Sequence, residues 1–579
     1  MVGFRGEFDA LGRVFNFEAS ANRGSAEITT YSQDINNQNF INAVNVGRDA
    51  NGNPVCSTDF TILGQAYAAP TGTPVADPNC VPLNLLGEGV ATQAARDYVI
   101  QDNVAIAELD QTVFNVNLGT TLFDLWGAGS AGFNIGYEHR KEEAAFIPGD
   151  FQQQGLGRSV AIGPVSGSFN VDEIFGEVLV PLVSPSNDFF IHSAEVSAQG
   201  RYVDNTVNGG FFAWSAGGRF AIIPDIEFRG NYTRSFRAPA VTELFQPANN
   251  AFSTVVTPCR PQDINNGPNP EARQANCQAF LAAFPNANLD PAISATIPIT
   301  SGGNPNLENE QADSYTFGVI VRPRFIPRFA LTVDYINIDI AQPIVDLGVA
   351  DIVSACFDNE VFNAADPANG NDFCSQIQRL PSGTVGPDPR DPNAPPINIG
   401  GFVVNDPANP GVATGFINGQ QIKFEGIQAT MAYTLPEDLL GIPGTFSLGG
   451  DLLYVKERLV NETGVASTRS DGEIGDPEFS GQFRVRYNAE NWGASTFINY
   501  VGEQLFDRDN RGIEFREIDE YDDYVTVNAS VFFDAADKYR FTFAVTNLFA
   551  RQGQEYFDSL VGINDPLGRR FSVSARAKF

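Results

Sequence analysis

The chain has 579 residues and a formal net charge of −33, with 55 Gly, 47 Phe, 16 Tyr and two His. The acidic balance argues against a nucleic-acid partner, because binding nucleic acid needs clustered Lys and Arg. Two histidines offer little for a His-based metal site, and no apolar run approaches the roughly 18 residues of a transmembrane helix. No GxSxG, P-loop or HExxH motif occurs, so nothing in the sequence indicates an enzyme, a metal or another cofactor.

The first predicted strand lies near Val2–Asp9. No signal peptide is recognisable before it, because a basic segment followed by an apolar one is missing. Either the protein is cytoplasmic or the chain lacks its N-terminal part. The pattern of the later strands decides between these two interpretations.

The predicted strands alternate strictly between apolar and polar residues. The segment 228–236 places Phe228, Tyr232 and Phe236 on one side and Arg, Asn, Thr and Ser on the other. A soluble β-sandwich also has one solvent-exposed face on each sheet, but its strands are usually about five or six residues long, whereas the predicted strands are roughly ten to fifteen residues long. The apolar side often ends in Tyr or Phe, as in an aromatic girdle. The fold class is therefore all-β, a transmembrane antiparallel β-barrel, and the same alternation recurs at 479–488, 525–531, 539–546 and 570–579.

Two kinds of connection alternate along the chain, apart from one short link near Asp204. Short, Pro-containing or Asn-containing turns separate loops that are rich in Pro, Asn and Gly, and we expect these loops to be irregular segments in water. Bacterial outer-membrane barrels show this asymmetry between short periplasmic turns and long extracellular loops. The long loops are predicted at about 32–102, 141–165, 238–308, 343–411, 460–473, 506–517 and 549–566.

About seventeen strands are predicted, and the alternation of the connections makes the first and last strands run in the same direction. Single-chain bacterial barrels have an even number of strands, and an unclosed sheet in lipid leaves backbone groups unsatisfied. We therefore expect residues 1–579 to form a partial barrel that lacks an odd number of N-terminal strands.

The six cysteines fall in pairs, and each pair lies within one predicted long loop. Metal binding or chance are the alternatives to disulfides, but the wide spacings and the lack of CxxC argue against zinc. An oxidising periplasm favours disulfides, each worth about 3 kcal/mol for loops of this length. The expected pairs are Cys56–Cys80, Cys259–Cys277 and Cys356–Cys374.

The acidic loop 507–523 resembles a calcium-binding loop only in part. Arg511 occupies the fifth position, and Ile518 occupies the twelfth, where an EF-hand has oxygen ligands. A solvated acidic loop is the better interpretation, and no metal ligands are predicted.

Several stretches resemble the TonB-dependent receptor family of Gram-negative outer membranes. The first is "FRAP…ELF", and the second is "NPNLENEQADSYTFGV", which has Asn309 where the family more often has proline. The segments 543–558 and 565–579 resemble the last hairpin and terminal strand. The motif residues are Phe236, Arg237, Ala238, Pro239, Glu243, Leu244, Phe245, Asn304, Pro305 and Leu307.

This resemblance implies a barrel of about 22 strands that is filled by an N-terminal plug, so the plug, its TonB box and about five strands are expected to lie outside this chain. It also implies an outer-membrane receptor that takes up a scarce nutrient, namely a siderophore, cobalamin or an oligosaccharide. The implied partners are this small-molecule or oligosaccharide ligand, outer-membrane lipid and lipopolysaccharide, the inner-membrane TonB complex and the barrel assembly machinery. A passive porin-like channel and a surface or adhesion barrel are the alternative functions.

Two further expectations concern single residues. Arg237 falls on the lumen side by alternation and is a candidate for contact with plug or substrate, although a structural role for its motif is favoured. Phe571 and Phe579 lie on the apolar side of the last strand, where the resemblance implies a C-terminal assembly signal. The acidic loops favour a neutral or cationic ligand over an anionic one.

Overall fold

The computed structural model describes residues 1–577 except 59–60, 63–64, 67–73, 158–160, 188, 247, 255–256, 286, 288–295, 387–394, 405–410, 437–440, 509–510, 513–517, 536–537 and 552–566. Within this described part, no helix is long and apolar enough to cross a membrane. Phe579, half of the predicted assembly signal, lies outside the described residues.

The main feature is an 18-stranded antiparallel sheet, in which one strand, Thr468–Arg469, has only two residues. The seventeen longer strands agree with the sequence prediction, and each pairs with the next one along the chain. They are β1 (Val2–Ala10), β2 (Arg13–Ile35), β3 (Ile100–Asp124), β4 (Ser130–Ile147), β5 (Val165–Val183), β6 (Ser193–Asn205), β7 (Gly209–Ile223), β8 (Ile226–Arg237), β9 (Glu310–Val321), β10 (Phe329–Ala341), β11 (Gln421–Thr434), β12 (Thr445–Asn461), β13 (Phe479–Asn488), β14 (Trp492–Val501), β15 (Tyr524–Ala535), β16 (Tyr539–Thr546) and β17 (Arg570–Ala577).

The two faces of the sheet differ in chemistry. We call the side that carries Arg229, Asn231 and Thr233 the polar face, and the opposite side the apolar face. On the apolar face, Phe541 lies opposite Phe533 on one side and opposite Ala575 on the other, so aromatic and small apolar residues run across β15–β17. Because side chains alternate along each strand, the register keeps one face apolar across neighbouring strands.

Aromatic pairs stand along the apolar face, as the girdle interpretation predicts. The rings of Tyr315 and Tyr335 on β9 and β10 are 5.9 Å apart, and Trp214 on β7 lies 5.2 Å from Tyr232 on β8. Two residue pairs beyond Tyr232 and Tyr315 in the register, and therefore next on the same face, Arg234 faces Asp313. The apolar face therefore becomes charged immediately past the aromatic residues.

Short turns and long loops lie at opposite ends of the sheet. The turn between β1 and β2 has two residues, Leu11 and Gly12, and both have positive φ angles. β2 and β3 have 23 and 25 residues, so they extend farther into the predicted loop 32–102 than the sequence indicated. The apolar–polar alternation already fails before those extensions begin, because Glu27 and Glu108 occupy positions in register with the apolar face.

The long loops contain most of the short elements. Their helices are α1 (Asn37–Val44), α2 (Gln93–Val99), α3 (Asp150–Gln153), α4 (Val241–Phe245), α5 (Pro270–Ala283), α6 (Val349–Asp358) and α7 (Asp372–Ser375), with a 3₁₀ turn at Pro367–Asn369. Four two-stranded ribbons join Val46–Arg48 with Pro54–Cys56, Thr61–Ile62 with Gln65–Ala66, Val385–Gly386 with Ile397–Asn398, and Gln504–Leu505 with Glu520–Tyr521.

Two long loops fold together into one unit, which corrects the expectation that they are irregular. The loop after β8 and the loop after β10 contribute to a four-stranded sheet and to α5, α6 and α7; we call these elements the loop module. Among the residues that the structure describes, thirteen buried ones form its hydrophobic core, including Phe280, Ile352 and Phe357. The strands of the module, in spatial order, are Asn249–Ser253, Ile297–Gly302, Val412–Asn418 and Ile344–Leu347.

Candidate functional site

One arginine organises the segment that follows β8. Arg237 donates to both carboxylate oxygens of Glu310, at 2.5 and 2.8 Å, and to the carboxylate of Glu243 at 3.0 and 3.1 Å. Glu243 also accepts a hydrogen bond from the backbone N–H of Ala240 at 2.6 Å. The first turn of α4 is therefore tied to β9 through a single guanidinium group.

The second family stretch lies against the first. The backbone N–H of Asn304 donates to the carbonyl of Glu243 at 2.8 Å, and its side-chain amide donates to the carbonyl of Phe416 at 3.0 Å. Leu244 and Leu307 are both buried. The other predicted motif residues lie in the same region: Phe236, Ala238, Pro239 and Phe245 around α4, and Pro305 before β9.

Arg237 itself keeps 45% of its side chain exposed, while Glu243 and Glu310 keep 15% and 14%. Its charge is thus shared with two carboxylates of the fold, and its remaining surface is open to a ligand or to another segment. The backbone N–H of Ile344 also donates to Glu310, at 2.7 Å, which joins this cluster to the loop module.

The three disulfides are present, and each closes its own loop. Cys56 bonds to Cys80 in the loop between β2 and β3. The other two, Cys259–Cys277 and Cys356–Cys374, lie within the core of the loop module. Among the described residues, no cysteine is free, and no group of His, Cys, Asp and Glu is arranged to hold a metal ion.

An ion pair is buried inside the loop module. Arg273 of α5 contacts both carboxylate oxygens of Asp358 at the end of α6, and it also donates to the carbonyl of Asp263 at 2.9 Å. The side chains of Arg273 and Asp358 are 7% and 0% exposed. Removing either partner would leave an uncompensated charge in an apolar core. The ion pair therefore fixes the position of α5 relative to α6.

A second charged cluster joins two other long loops. Asp471 is buried and accepts from Arg469 at 2.9 and 3.0 Å and from Arg508 at 2.6 Å. Burial alone would raise the pKa of Asp471, but the hydrogen bonds from Arg469 and from the backbone of Arg458, with the charge of Arg508, hold that pKa below its usual value. The loop after β12 is thereby tied to the loop after β14.

On the polar face, five polar side chains, of which four are uncharged, form a row that crosses neighbouring strands. Asn134 lies opposite Glu177, Glu177 opposite Gln199, Gln199 opposite Ser215, and Ser215 opposite Thr233. The row therefore runs from β4 to β8, on the order of 20 Å at about 4.8 Å per strand. Glu177 is the one ionisable residue among these five.

Two recesses in the polar face meet along this row. One has a volume of 570 Å³ and extends towards β2, and the other has a volume of 320 Å³ and extends towards the long-loop end. Both are of the size of small-molecule sites. Their shared lining residues are Asn134, Glu177, Gln199 and Ser215.

Charged residues bracket this row on both sides. Towards the short turns, Arg229 pairs with Asp334 at 2.5 Å and Arg219 pairs with Glu195 at 2.7 Å. Towards the long loops, a second set of ion pairs joins Arg140 and Arg201 to Glu173, whose side chain is 6% exposed.

The family model "TonB dependent receptor-like, beta-barrel" matches residues 3–548, and the chain belongs to this family. No curated protein sequence matches the chain. The family consists of receptors and transporters rather than enzymes, and its barrels are outer-membrane proteins of Gram-negative bacteria.

Two solved structures with TM-scores of 0.50 and 0.51 support the same fold. A double mutant of the ferric enterobactin receptor PfeA from Pseudomonas aeruginosa matches with a TM-score of 0.51 and 13% identity, over 100% of this chain and 61% of that one. A single mutant of PfeA in complex with enterobactin matches with a TM-score of 0.50 and 12% identity, with the same coverage. The siderophore receptor PirA from Acinetobacter baumannii has a TM-score of 0.48 at 10% identity, over 100% of this chain and 79% of that one. The chain thus spans about three fifths of the length of PfeA.

Sequence reasoning located the motif cluster and the cysteine pairs, but it missed the polar row and the core of the loop module. The apolar positions of α6 do carry a helical signal, because Val349, Ile352, Val353, Cys356 and Phe357 recur at helical spacing and are all buried. The row has no such signal, since it exists only once the strands are paired in register.

Proposed function

We propose that this chain forms the barrel wall and extracellular loops of an outer-membrane receptor that takes up a scarce nutrient with energy from the inner-membrane TonB complex. The observation that carries the proposal is the sheet with one polar and one apolar face, in a chain that belongs to the TonB-dependent receptor family. The polar face offers a ligand hydrogen-bonding groups, while the apolar face suits lipid and lipopolysaccharide.

The candidate nutrients are ferric siderophores, cobalamin and oligosaccharides. PfeA is described as a ferric enterobactin receptor, yet its 12–13% identity supports the fold and not the ligand. The plug and the TonB-binding segment are proposed to be supplied by polypeptide beyond these 579 residues.

A deletion strain tests this function. We expect slower growth on one of three limiting nutrients, namely a ferric siderophore, cobalamin or a neutral oligosaccharide, and restoration by the complete gene. The same defect should appear in a strain without TonB, since uptake is energised. Normal uptake without TonB would instead support the passive channel. Normal growth of the deletion strain on all three nutrients would support a surface or adhesion barrel.

Assembly of the barrel is proposed to depend on the aromatic C-terminus. Phe571 lies on the apolar face with its ring 6.2 Å from that of Phe543. We expect Phe579→Asp in the complete gene to leave the protein degraded or stalled in the periplasm. Tyr539→Asp, on the neighbouring strand, is the control and should still give heat-modifiable protein in outer-membrane fractions; equal assembly of both variants would contradict a signal at Phe579.

A further inference from the structure

A recess lies in the apolar face of the sheet, and the receptor function proposed above gives it no role. Its volume is 300 Å³, and it spans β10–β14, roughly 19 Å at about 4.8 Å per strand. The surface is low there because Gly450 and Gly481 have no side chain and Ala429 has only a methyl group. Larger side chains surround this low area, among them Leu452, Phe483, Ile498 and Tyr500.

The register of the strands shows that the recess opens outward, away from the polar face. Tyr335, which belongs to an aromatic pair of the apolar face, lies opposite Ile427, and Ile427 lies opposite Tyr454. Leu452 and Gly450 follow Tyr454 at alternate positions of β12, so they share its side of the sheet.

The lining of the recess is almost entirely hydrocarbon. Asp451 and Gln482 also border it, but they alternate with the two glycines and point to the polar face, where Asp451 lies 3.1 Å from Arg484. Among the described outward side chains around the recess, only that of Tyr500 carries an oxygen or nitrogen atom. An apolar occupant is therefore expected.

The recess lies on a part of the barrel wall that has neighbouring strands on both sides. Each strand from β10 to β14 pairs with two strands of this chain. Further barrel strands would pair at the edges of the sheet, β1 and β17, and a plug would lie against the polar face. What fills the recess is therefore expected to come from the membrane or from another molecule.

Two aromatic pairs on the apolar face give the depth of the recess in the membrane. The rings of Tyr454 and Phe479 are 4.7 Å apart on the long-loop side, and those of Phe446 and Tyr487 are 4.6 Å apart on the short-turn side. The two pairs lie eight residues apart along β12, roughly 27 Å at about 3.4 Å per residue, which is comparable with the apolar band of a bacterial barrel. Because Leu452 is next to Tyr454 on this face, the recess begins directly below the long-loop pair. It therefore lies in the half of the band that faces the outer leaflet.

A cation lies beyond the recess on the same strand. Lys456 is two residues past Tyr454 on β12, and its ammonium group lies 2.6 Å from the outward carboxylate of Glu425. Its side chain is 60% exposed, so N–H donors remain for a second anion. An apolar recess with an ammonium group above it fits a lipid that joins acyl chains to a phosphate.

We propose that the recess binds an acyl chain of lipopolysaccharide, the phosphate-bearing lipid of the outer leaflet; the proposal rests on the outer-membrane placement that belongs to the function proposed above. The hydrocarbon lining suits an acyl chain, and the position below the long-loop aromatic pair selects the outer leaflet. A second copy of the chain fits less well, because a stable interface takes about 800 Å² from each partner and this recess is only two outward residues high on each strand.

Retention of lipopolysaccharide by the complete receptor tests the site. The receptor is purified in detergent micelles from the outer membranes of a deep-rough strain, whose lipopolysaccharide has a nearly uniform mass, and native mass spectrometry measures the fraction of receptor that carries this lipid. We expect the wild type to retain it and Gly450→Leu to retain roughly fivefold less, because the leucine fills the recess and removes apolar contacts of the acyl chain. A Cβ at Gly450 would meet its nearest atom, Cδ2 of Phe483, at 3.4 Å, an ordinary contact that lets the variant fold.

Two further variants separate the recess from general effects on the wall. Gly230→Leu is the matched control: Gly230 lies opposite Phe317 as Gly450 lies opposite Phe483, a Cβ there would have 3.7 Å to its nearest atom, and the residue lies outside the recess. It should retain lipopolysaccharide as the wild type does. Ala429→Leu fills the recess from β11 and should repeat the loss, and heat-modifiable migration confirms that each variant is folded.

Several outcomes would overturn the proposal. They are a wild-type receptor that carries no lipopolysaccharide, equal retention in Gly450→Leu and Gly230→Leu, and retention of phosphatidylethanolamine in place of lipopolysaccharide. A dimer of the wild type that is lost in Gly450→Leu would identify a second copy of the chain as the occupant instead.

Uptake of the limiting nutrient by cells separates this inference from the receptor function. If deletion of the gene abolishes TonB-dependent uptake while Gly450→Leu retains as much lipopolysaccharide as the wild type, the receptor function stands and the lipid site fails. If Gly450→Leu loses lipopolysaccharide as expected but deletion changes no uptake, the lipid site stands and the transport function fails.

Discussion

The loop module and the polar face both use arginine–carboxylate pairs, but they place them in opposite surroundings. In the loop module, Arg273 and Asp358 are 7% and 0% exposed, whereas Arg229 and Asp334 on the polar face are 43% and 16% exposed. An exposed pair contributes about 0–1 kcal/mol, while breaking a buried one costs far more because it leaves an uncompensated charge. The module is thus built like the core of a soluble domain, and the polar face is built to stay accessible.

The same contrast holds for the hydrophobic side chains. The sheet turns its Phe and Tyr outward, and Phe541 and Phe543 of β16 remain about half exposed without lipid. The loop module turns Phe280 and Phe357 inward, 5.5 Å apart in an edge-to-face arrangement. Segments that look like loops in the sequence therefore contain the larger of the two buried clusters in the described part of the chain.

The largest effect is expected from removing the buried arginine of the loop module. Arg273→Met leaves Asp358 unpaired in an apolar core, and we expect a loss of about 3–5 kcal/mol in the stability of the module. Urea-dependent proteolysis of the long loops measures this loss, while heat-modifiable migration reports the barrel, which should be unchanged. Arg23→Met is the matched control, because Arg23 lies 4.0 Å from Asp110 with 76% of its side chain exposed; an equal effect of both variants would contradict the buried core.

The sequence predicted the features that depend on neighbouring residues and missed those that depend on residues far apart in the chain. Alternation such as that of Phe541 and Phe543 is local, so it predicted the strands and their apolar face. The partners Arg273 and Asp358 belong to different loops, and nothing in either loop alone indicates that they meet. The same holds for Asn134 and Thr233, which share a row only because β4–β8 pair in register.

The three disulfides differ in how deeply they are buried. Cys259, Cys277, Cys356 and Cys374 are all at most 2% exposed, whereas Cys56 and Cys80 are partly exposed. We expect Cys56–Cys80 to be reduced first in the folded protein, and the other two only when the module unfolds. Timed alkylation with peptide mapping measures this order, and each lost bond should cost about 3 kcal/mol. A cross-loop peptide, or simultaneous reduction of all three bonds in native buffer, would contradict it.

Arg237 tests the boundary between the two regions, because it joins the polar face to the base of the module. Arg237→Gln removes charge-assisted hydrogen bonds to Glu243 and Glu310, so we expect α4 and the adjoining loop to lose about 1.5–3 kcal/mol of stability. Proteolysis in the loop 238–309 measures this effect. If ligand binding falls while the protease resistance of the loop is unchanged, Arg237 acts as a ligand contact and its structural role is secondary.

The smallest expected effect lies where the module meets the next loop. Burial raises the pKa of Glu462, and the charge of Asp351 in the module raises it further. Because the folded-state pKa exceeds the unfolded value of about 4.3, the carboxylate destabilises the fold at neutral pH, and this penalty disappears as the pH falls through the folded pKa to the unfolded one. Glu462→Gln should therefore stabilise the loops slightly at pH 7 and have no advantage below about pH 4. Urea-dependent proteolysis at both pH values, with Asp351→Asn as a parallel variant that relieves the same repulsion, checks the sign; a Glu462→Gln variant less stable than the wild type at pH 7 would show that the carboxylate has a favourable partner instead.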